Sequence, residues 1–392
     1  LPVADWFNRA APQVKSGAID PARIDAKAAL LMLLENPLLI RRPLIETEQW
    51  KLVGFDAQQL RERLGLVDSE PRPDPEACIR PPAAQHCSDT PHDAERARIA
   101  LAYHERTKHR PERYAAGPET LDWSSQPDPF RTFKGSPQIR LPLCAGRLTD
   151  INADNTQAPA FSIDALGALL ELSLGLSAWK EYGPDRWALR CNPSSGNLHP
   201  TEAYAIARGV PGLDDGLYHY ASRGHALELR CRSSAAQAPG LWIGLSSIHW
   251  REAWKYGERA FRYCQLDVGH ALAALRYAAG LLGWELRLVS GCNSQRLAQL
   301  LGAERDQDFG GAEREEPDLL LQIIDPARPQ ALLEPAPWIA SDVSWIGQAN
   351  ILDPYPMYHW PVIDEVATAT ASRHDDATPV PPREYPAGTS AS

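Results

Sequence analysis

The chain is short of thiols. Seven cysteines are spread over 392 residues, and none precedes Cys78. So sparse and odd a set builds no disulfide framework and leaves at least one thiol unpaired. Free thiols and no basic-then-apolar leader point to the cytoplasm. Long apolar runs are missing as well: no stretch approaches the ~18 residues of a membrane span. Positive charge is scarce. Forty Lys and Arg against 50 Asp and Glu give a formal net charge of −10. That balance argues against nucleic-acid binding by bulk electrostatics. Proline (35) and tryptophan (12) are plentiful, and the 44% hydrophobic content is that of a globular protein. A chain of this length can hold two or three domains.

Asp20-Pro21 predicts a helix start, with Ile24, Ala28, Leu31 and Met32 at helical spacing up to Asn36-Pro37. Leu38-Leu39-Ile40 reads as a short strand. Leu44-Ile45-Glu46 and Lys51 to Phe55 read as a hairpin, and Asp56 as the cap of a helix through Leu64. Residues 67–92 hold Pro71, Pro73, Pro75, Pro81 and Pro82 among acids and small residues, and read as a linker. Cys78, His86, Cys87 and His92 lie there at a spacing that fits no closed zinc pattern, so no metal is assigned.

A helix is expected from Asp93 to about Thr107. It runs into a basic cluster, Arg106-Thr107-Lys108-His109-Arg110, with Arg113 nearby. Such a cluster is either a solvated patch or a phosphate clamp. Ser162 caps a further helix carrying Ile163, Leu166, Leu169 and Leu170. Apolar runs at 203–207, 217–220, 227–229, 241–248, 285–289 and 319–324 read as strands. Asp267 to Trp284 reads as a long helix, apolar almost all round and therefore central. Asp267 is then most simply its cap, and His270 a buried structural residue. The tail, 366–392, is rich in Pro, Ala, Ser and Thr and reads as disordered.

One stretch breaks every regular pattern: Arg190-Cys191-Asn192-Pro193-Ser194-Ser195-Gly196-Asn197-Leu198-His199-Pro200. Two prolines bracket two hydroxyls, a glycine and an amide. The backbone there is no helix interior and no central strand. It is either an ordinary turn or a surface for an anion or a planar polar ligand. Further on, Lys255-Tyr256 precedes Arg259 and Arg262. Lys255 could pair with Glu252 or Glu258 on a helix face, or serve as a base if burial and the two arginines lowered its proton affinity.

Two resemblances follow from these residues. Asn36-Pro37-Leu38-Leu39-Ile40-Arg41-Arg42-Pro43, with Val53-Gly54-Phe55, resembles the C-terminal half of the arsenate-reductase-like thioredoxin-fold family, especially its nitrogenase-associated members. That likeness implies a cis-proline at Pro43. The nucleophilic cysteine of the family has no counterpart here, so 1–66 is expected to be a partial, catalytically silent α/β segment.

The second resemblance joins the Arg190 loop, the Lys255-Tyr256 segment and the long helix opening Asp267-Val268-Gly269-His270. In order and spacing these are similar to the FMN-dependent nitroreductase superfamily, in particular its SagB-type azoline dehydrogenase branch. The resemblance implies an α+β domain over 93–365, an antiparallel sheet flanked by helices with the long helix at the core of a homodimer. It implies FMN as cofactor, held by Arg106, Thr107 and Lys108 at the phosphate and by Arg190, Pro193, Ser194, Ser195, Gly196 and Asn197 at the ring. It implies Lys255 and Tyr256 as the catalytic pair. The substrate would be a small molecule or a modified peptide, oxidised by hydride transfer. Reduction of a nitro compound or quinone by NAD(P)H, or a non-catalytic scaffold or fragment that keeps the fold, are the alternatives.

Overall fold

The computed structural model describes residues 2–8, 11–36, 39–40, 44–46, 51–53, 91–110, 112–143, 159–233, 238–325 and 343–373. Its contacts divide the chain into two units, Leu1–Cys87 and Ser88–Ser392.

In the first unit, α1 (Pro12–Lys15) and α2 (Ala26–Glu35) precede a two-stranded antiparallel hairpin, β1 (Leu44–Glu46) with β2 (Lys51–Val53). The hairpin lies where the sequence predicts it. The helix start does not. Asp20 caps only a single 3-10 turn, through Ala22 N at 3.1 Å. Asp25 caps α2 by accepting from Lys27 N (2.9 Å) and Ala28 N (3.0 Å). Between them Ile24 is extended, which breaks the run. Ile40 makes a single antiparallel bridge to Phe7 instead of a full strand. Phe7, Ala11, Ala29, Leu33 and Leu39 form the small core of this unit. The expected cis-proline at Pro43, the helix from Asp56 and nearly all of the linker at 67–92 lie outside the described residues.

The second unit is built on an eight-stranded antiparallel sheet. Its strands are β4 (Gln138–Arg140), β7 (Thr201–Arg208), β8 (Gly216–Ala221), β9 (Ala226–Ser233), β10 (Gly240–Ser247), β11 (Glu285–Leu288), β12 (Glu316–Ile324) and β13 (Val343–Trp345). The order is β11-β12-β10-β7-β8-β9-β13, with β4 also paired to β9. Two antiparallel pairs stand apart: β3 (Phe133–Lys134) with the distant β14 (Gln348–Ala349), and the hairpin of β5 (Leu176–Tyr182) with β6 (Asp185–Arg190).

The strand alternation decides what each face meets. Ala203, Ala205, Tyr218, Leu227, Ile243 and Leu321 pack with Leu166, Leu169, Leu275 and Ala279 in one core. The helical residues belong to α4 (Ile163–Ser173) and to the long α6 (Ala260–Leu281). At ~25 cal/mol per Å² of apolar area removed from water, a layer of this extent is the main stabilising term. On the opposite face Tyr204, Ile206, Leu217, Trp242 and Leu320 pack with Leu297, Leu300 and Leu301 of α7 (Ser294–Leu301). Helix α3 (Pro91–Thr107), α5 (His249–Tyr256), the short α8 (Asp306–Phe309) and α9 (Pro361–Thr370) complete the unit.

Three sequence expectations change here. Helix α6 begins at Ala260, two turns before Asp267, so Asp267 is no cap. The helix is also one-sided within this chain: Leu266, Tyr277 and Leu281 are exposed, as are Gly269, His270 and Gly280. Residues 366–370, assigned to the tail, are the end of α9, because Ile363, Val366 and Ala369 bury one helical face. None of the described helices is long and apolar enough to cross a membrane.

Candidate active site

The loop between β6 and β7 adopts an unusual backbone. Gly196, Asn197 and His199 have φ of 63°, 61° and 53°. The left-handed region costs a non-glycine residue roughly 1–2 kcal/mol, so the surroundings must hold it. They do. Ser194 Oγ accepts from His199 N at 2.8 Å. The carboxylate of Asp267, projecting from α6, accepts from both Ser195 N (3.0 Å) and Ser195 Oγ (3.0 Å). Asn197 Nδ2 donates to Ala188 O at 2.8 Å. Arg190 is buried and donates to Thr201 O (3.2 Å) and Pro129 O (2.6 Å). Most polar groups predicted to meet a ligand therefore brace the loop itself. Pro193 and Gly196 are the exposed members.

Lys255 and Tyr256 end α5 directly against this loop. A Cβ on Gly196 would stand 2.6 Å from Tyr256 Oη and 3.1 Å from Lys255 Nζ. Loop and pair thus meet at one point, and only glycine leaves room for it. Replacing Gly196 by Ala is expected to cost about 1–3 kcal/mol through positive φ and this contact. Thermal unfolding of the variant checks it; an unchanged midpoint would remove the close approach from the argument.

Neither proposed ion-pair partner reaches Lys255. Glu258 is taken by Arg106, which donates to it through Nε at 2.8 Å and also through Nη2. Glu252 is fully buried, and among the described residues neither of its carboxyl oxygens has a hydrogen-bond partner. Lys255 Nζ lies instead over the rings of Trp123 (5.2 Å) and Tyr256 (5.4 Å). Burial, then the nearby Glu252, Tyr263 and Asp267, push the Tyr256 phenol up to about 12, so it stays a proton donor near neutrality. Burial raises Asp267, while hydrogen bonds from Ser194 and Ser195 pull the other way.

The basic cluster is committed to the protein. Besides Arg106 with Glu258, Lys108 pairs with Glu105, and Arg110 Nη2 donates to Glu105 at 2.7 Å. Thr107 is fully buried; its hydroxyl donates to Tyr103 O at 2.8 Å and accepts from Arg262 Nη2 at 3.0 Å. Arg259 donates to Thr107 O. Arg259 and Arg262 are thus directed at α3. Arg106, Thr107 and Lys108 do not converge with the loop through any of these bonds.

Two residues gain weight that the sequence reading had not given them. Asp267 is the anchor of the loop, and Glu252 is an orphaned acid one helical turn from the pair. Its position three and four residues before Lys255 and Tyr256 was the available signal. His270 is exposed rather than buried. Beyond the loop, on the sheet, His219 sits between two carboxylates, with Nε2 3.0 Å from Glu202 and Nδ1 3.0 Å from Glu228. A cleft of about 610 Å³ lies along the N-terminal part of α5, lined by Trp250, Tyr358 and Trp360 among others; none of the sequence-predicted site residues lines it. Among the described residues no His, Cys, Asp and Glu group could hold a metal ion.

Comparison with known proteins agrees with both resemblances. Residues 2–63 match the ArsC family. An uncharacterised 15.7 kDa protein of Rhodospirillum rubrum is 39% identical over 90 residues, 23% of this chain and 62% of that protein. A protein of Methanocaldococcus jannaschii named as a candidate nitroreductase is 28% identical over 116 residues, 26% of this chain and 59% of that one. A solved structure from Anabaena variabilis, also named as a candidate nitroreductase, overlays with a TM-score of 0.49 at 25% identity, covering 71% of this chain and 55% of that one. An E. coli microcin synthetase complex, McbBCD, with truncated pro-MccB17 bound, overlays at 0.34 and 16%, covering 61% and 84%. The matches span about three fifths of the two curated relatives. The chain thus joins a segment matching the ArsC family to a mixed helix and antiparallel-sheet body that is similar to nitroreductases.

Proposed function

We propose that this protein is an FMN-dependent oxidoreductase, acting as a homodimer, that oxidises azoline heterocycles in modified peptides. The observation that carries the reading is the convergence of Gly196, Lys255 Nζ and Tyr256 Oη at one exposed loop. The bare Gly196 backbone and the unpaired lysine and phenol fit the edge of a flat polar ring. Bound there, FMN would supply the hydride acceptor. The residues that would face it are Pro193, Gly196 and Asn197, with Ser194, Ser195 and Arg190 shaping the loop behind them. Arg106 and Lys108 hold Glu258 and Glu105, and could serve a phosphate only with the donors those pairs leave over.

The chain's own chemistry is proton handling. Among the described residues Lys255 is in no salt bridge; in this reading its Nζ, once deprotonated, takes a proton from carbon. Tyr256, kept as a phenol, donates a hydrogen bond toward the same point. The exposed stripe of α6, with Leu266, Gly269, Tyr277, Gly280 and Leu281 at helical spacing, is suited to pack on a second copy. Residues 1–66 lack a cysteine and are assigned no redox step.

Purified protein is expected to carry, or to take up, one FMN per chain, read from its visible absorption. A protein that stays colourless after incubation with excess FMN would end the oxidoreductase reading.

A further inference from the structure

We propose that Glu252 is the proton store of the Lys255–Tyr256 site, a buried neutral carboxylic acid that takes over the proton Lys255 removes from substrate. This rests on the reading of Lys255 as the base.

Three observations lead there. Glu252 is completely buried on α5, and among the described residues both of its oxygens lack a hydrogen-bond partner. An isolated buried carboxylate is strongly disfavoured, so the group keeps its proton. Its place in the helix, three residues before Lys255 and four before Tyr256, puts it on the face the pair uses. Asp267 and Cys264 face it from α6, and Lys255 and Tyr256 share its own helix; of these Asp267 makes ionisation harder and Lys255 makes it easier. Burial first, then repulsion from Asp267, push Glu252 up to about 9, against a smaller opposing pull from Lys255. One helical turn separates this acid from Lys255, close enough for a proton to pass between them.

The proton balance closes. The substrate C–H bond breaks and its proton bonds to Lys255 Nζ. As Lys255 Nζ passes its proton to one Glu252 oxygen, the proton on the other oxygen leaves to water past the half-buried Tyr256 hydroxyl, so the buried acid is never left ionised and both groups return to their starting state. The electron pair left on that carbon becomes the new ring double bond as the neighbouring C–H bond breaks, and the hydride leaves with the pair of that second bond to the acceptor proposed above. Glu252 acts through Lys255 and is in this sense a positioning residue.

The test uses the full chain and Glu252→Gln, which keeps the shape but holds no exchangeable acid proton. At neutral pH the infrared difference between wild type and variant should contain one protonated-carboxyl C=O stretch, and in wild type that band should vanish only at alkaline pH. With an azoline peptide, kcat of the variant should fall at least about tenfold with KM unchanged, and one ionisation should drop out of its kcat–pH profile. Glu252→Asp should retain that ionisation in part. If Glu252→Gln does not fold, the wild-type infrared titration together with the Asp variant's profile decides. Absence of the band overturns the proposal, and so does a variant profile that superimposes on wild type. If the band is present but wild type oxidises no azoline, the functional reading fails and takes the store role with it. That outcome is distinguishable from active enzyme with an unmoved profile, which sinks Glu252 alone.

Discussion

Lys255→Ala is expected to lower azoline turnover by roughly 10²–10⁴-fold, the usual range for removing a positioned acid or base. The fold should survive it. Among the described residues Lys255 makes no salt bridge, and its contacts with the Trp123 and Tyr256 rings are worth about 0.5–1 kcal/mol at a partly exposed site. The variant should therefore unfold close to wild type and bind flavin undiminished while losing rate. Steady-state kinetics with a peptide azoline, alongside a thermal melt, reads both. Full turnover in a folded, flavin-loaded variant would strip Lys255 of its role. A folded variant that no longer retains flavin would assign it to cofactor binding instead.

Glu202→Ala is expected to destabilise the second unit by about 3–5 kcal/mol, because it strands two buried cations. Glu202 accepts from Arg251, which is itself fully buried, and from His219 Nε2. His219 Nδ1 meets Glu228, another buried carboxylate, whose second oxygen accepts from Gln138 Nε2 at 3.0 Å. Carboxylates only accept, so both imidazole nitrogens must carry protons. Burial alone would depress His219, but the hydrogen bonds to Glu202 and Glu228 raise it to about 9. Burial likewise opposes ionisation of Glu202, yet Arg251 and His219 hold it well below the usual carboxylate range.

The pH dependence follows. The His219 contribution is complete below its ordinary value of 6.5 and disappears as pH rises through about 9. The Glu202 contribution is present above 4.5 and is lost only in strong acid, as pH falls through its lowered folded value. Denaturant unfolding at pH 6 and pH 9.5 should show wild type losing stability at the alkaline value and Glu202→Ala losing much less. A loss under about 1 kcal/mol in Glu202→Ala at pH 6 would mean the network is not the brace described here.

Periodicity alone made parts of this protein legible. The strands at 203–207, 217–220, 227–229, 241–248 and 319–324 are apolar because both sheet faces are covered, and the structure has a strand at each. Helix α4 carried its own cap, Ser162, whose Oγ accepts from Ala165 N at 3.2 Å. The hairpin of β5 and β6 went unseen because β5 is almost wholly exposed and leaves no burial pattern to read. The start of α6 was missed because its first turn carries Arg262, whose partner lies far along the chain in α3, where it donates to His104 O at 3.2 Å.

The site divides in the same way. The residue types around Arg190–Asn197 and at Lys255-Tyr256 marked these two stretches before any coordinates, since prolines, glycine and small hydroxyls in one loop leave few regular structures open. Sequence could not say which polar groups would remain available, because that depends on partners far along the chain. Arg106 finds Glu258 across 152 residues, and Ser195 finds Asp267 across 72. Local spacing determined the elements, the loop and the candidate pair. Only the tertiary structure decided that the basic cluster and the loop hydroxyls are spent on the protein, and that Glu252 is left as an unpartnered acid beneath Lys255. The physical reason is that burial and hydrogen-bond saturation are set by long-range packing, which no local pattern encodes.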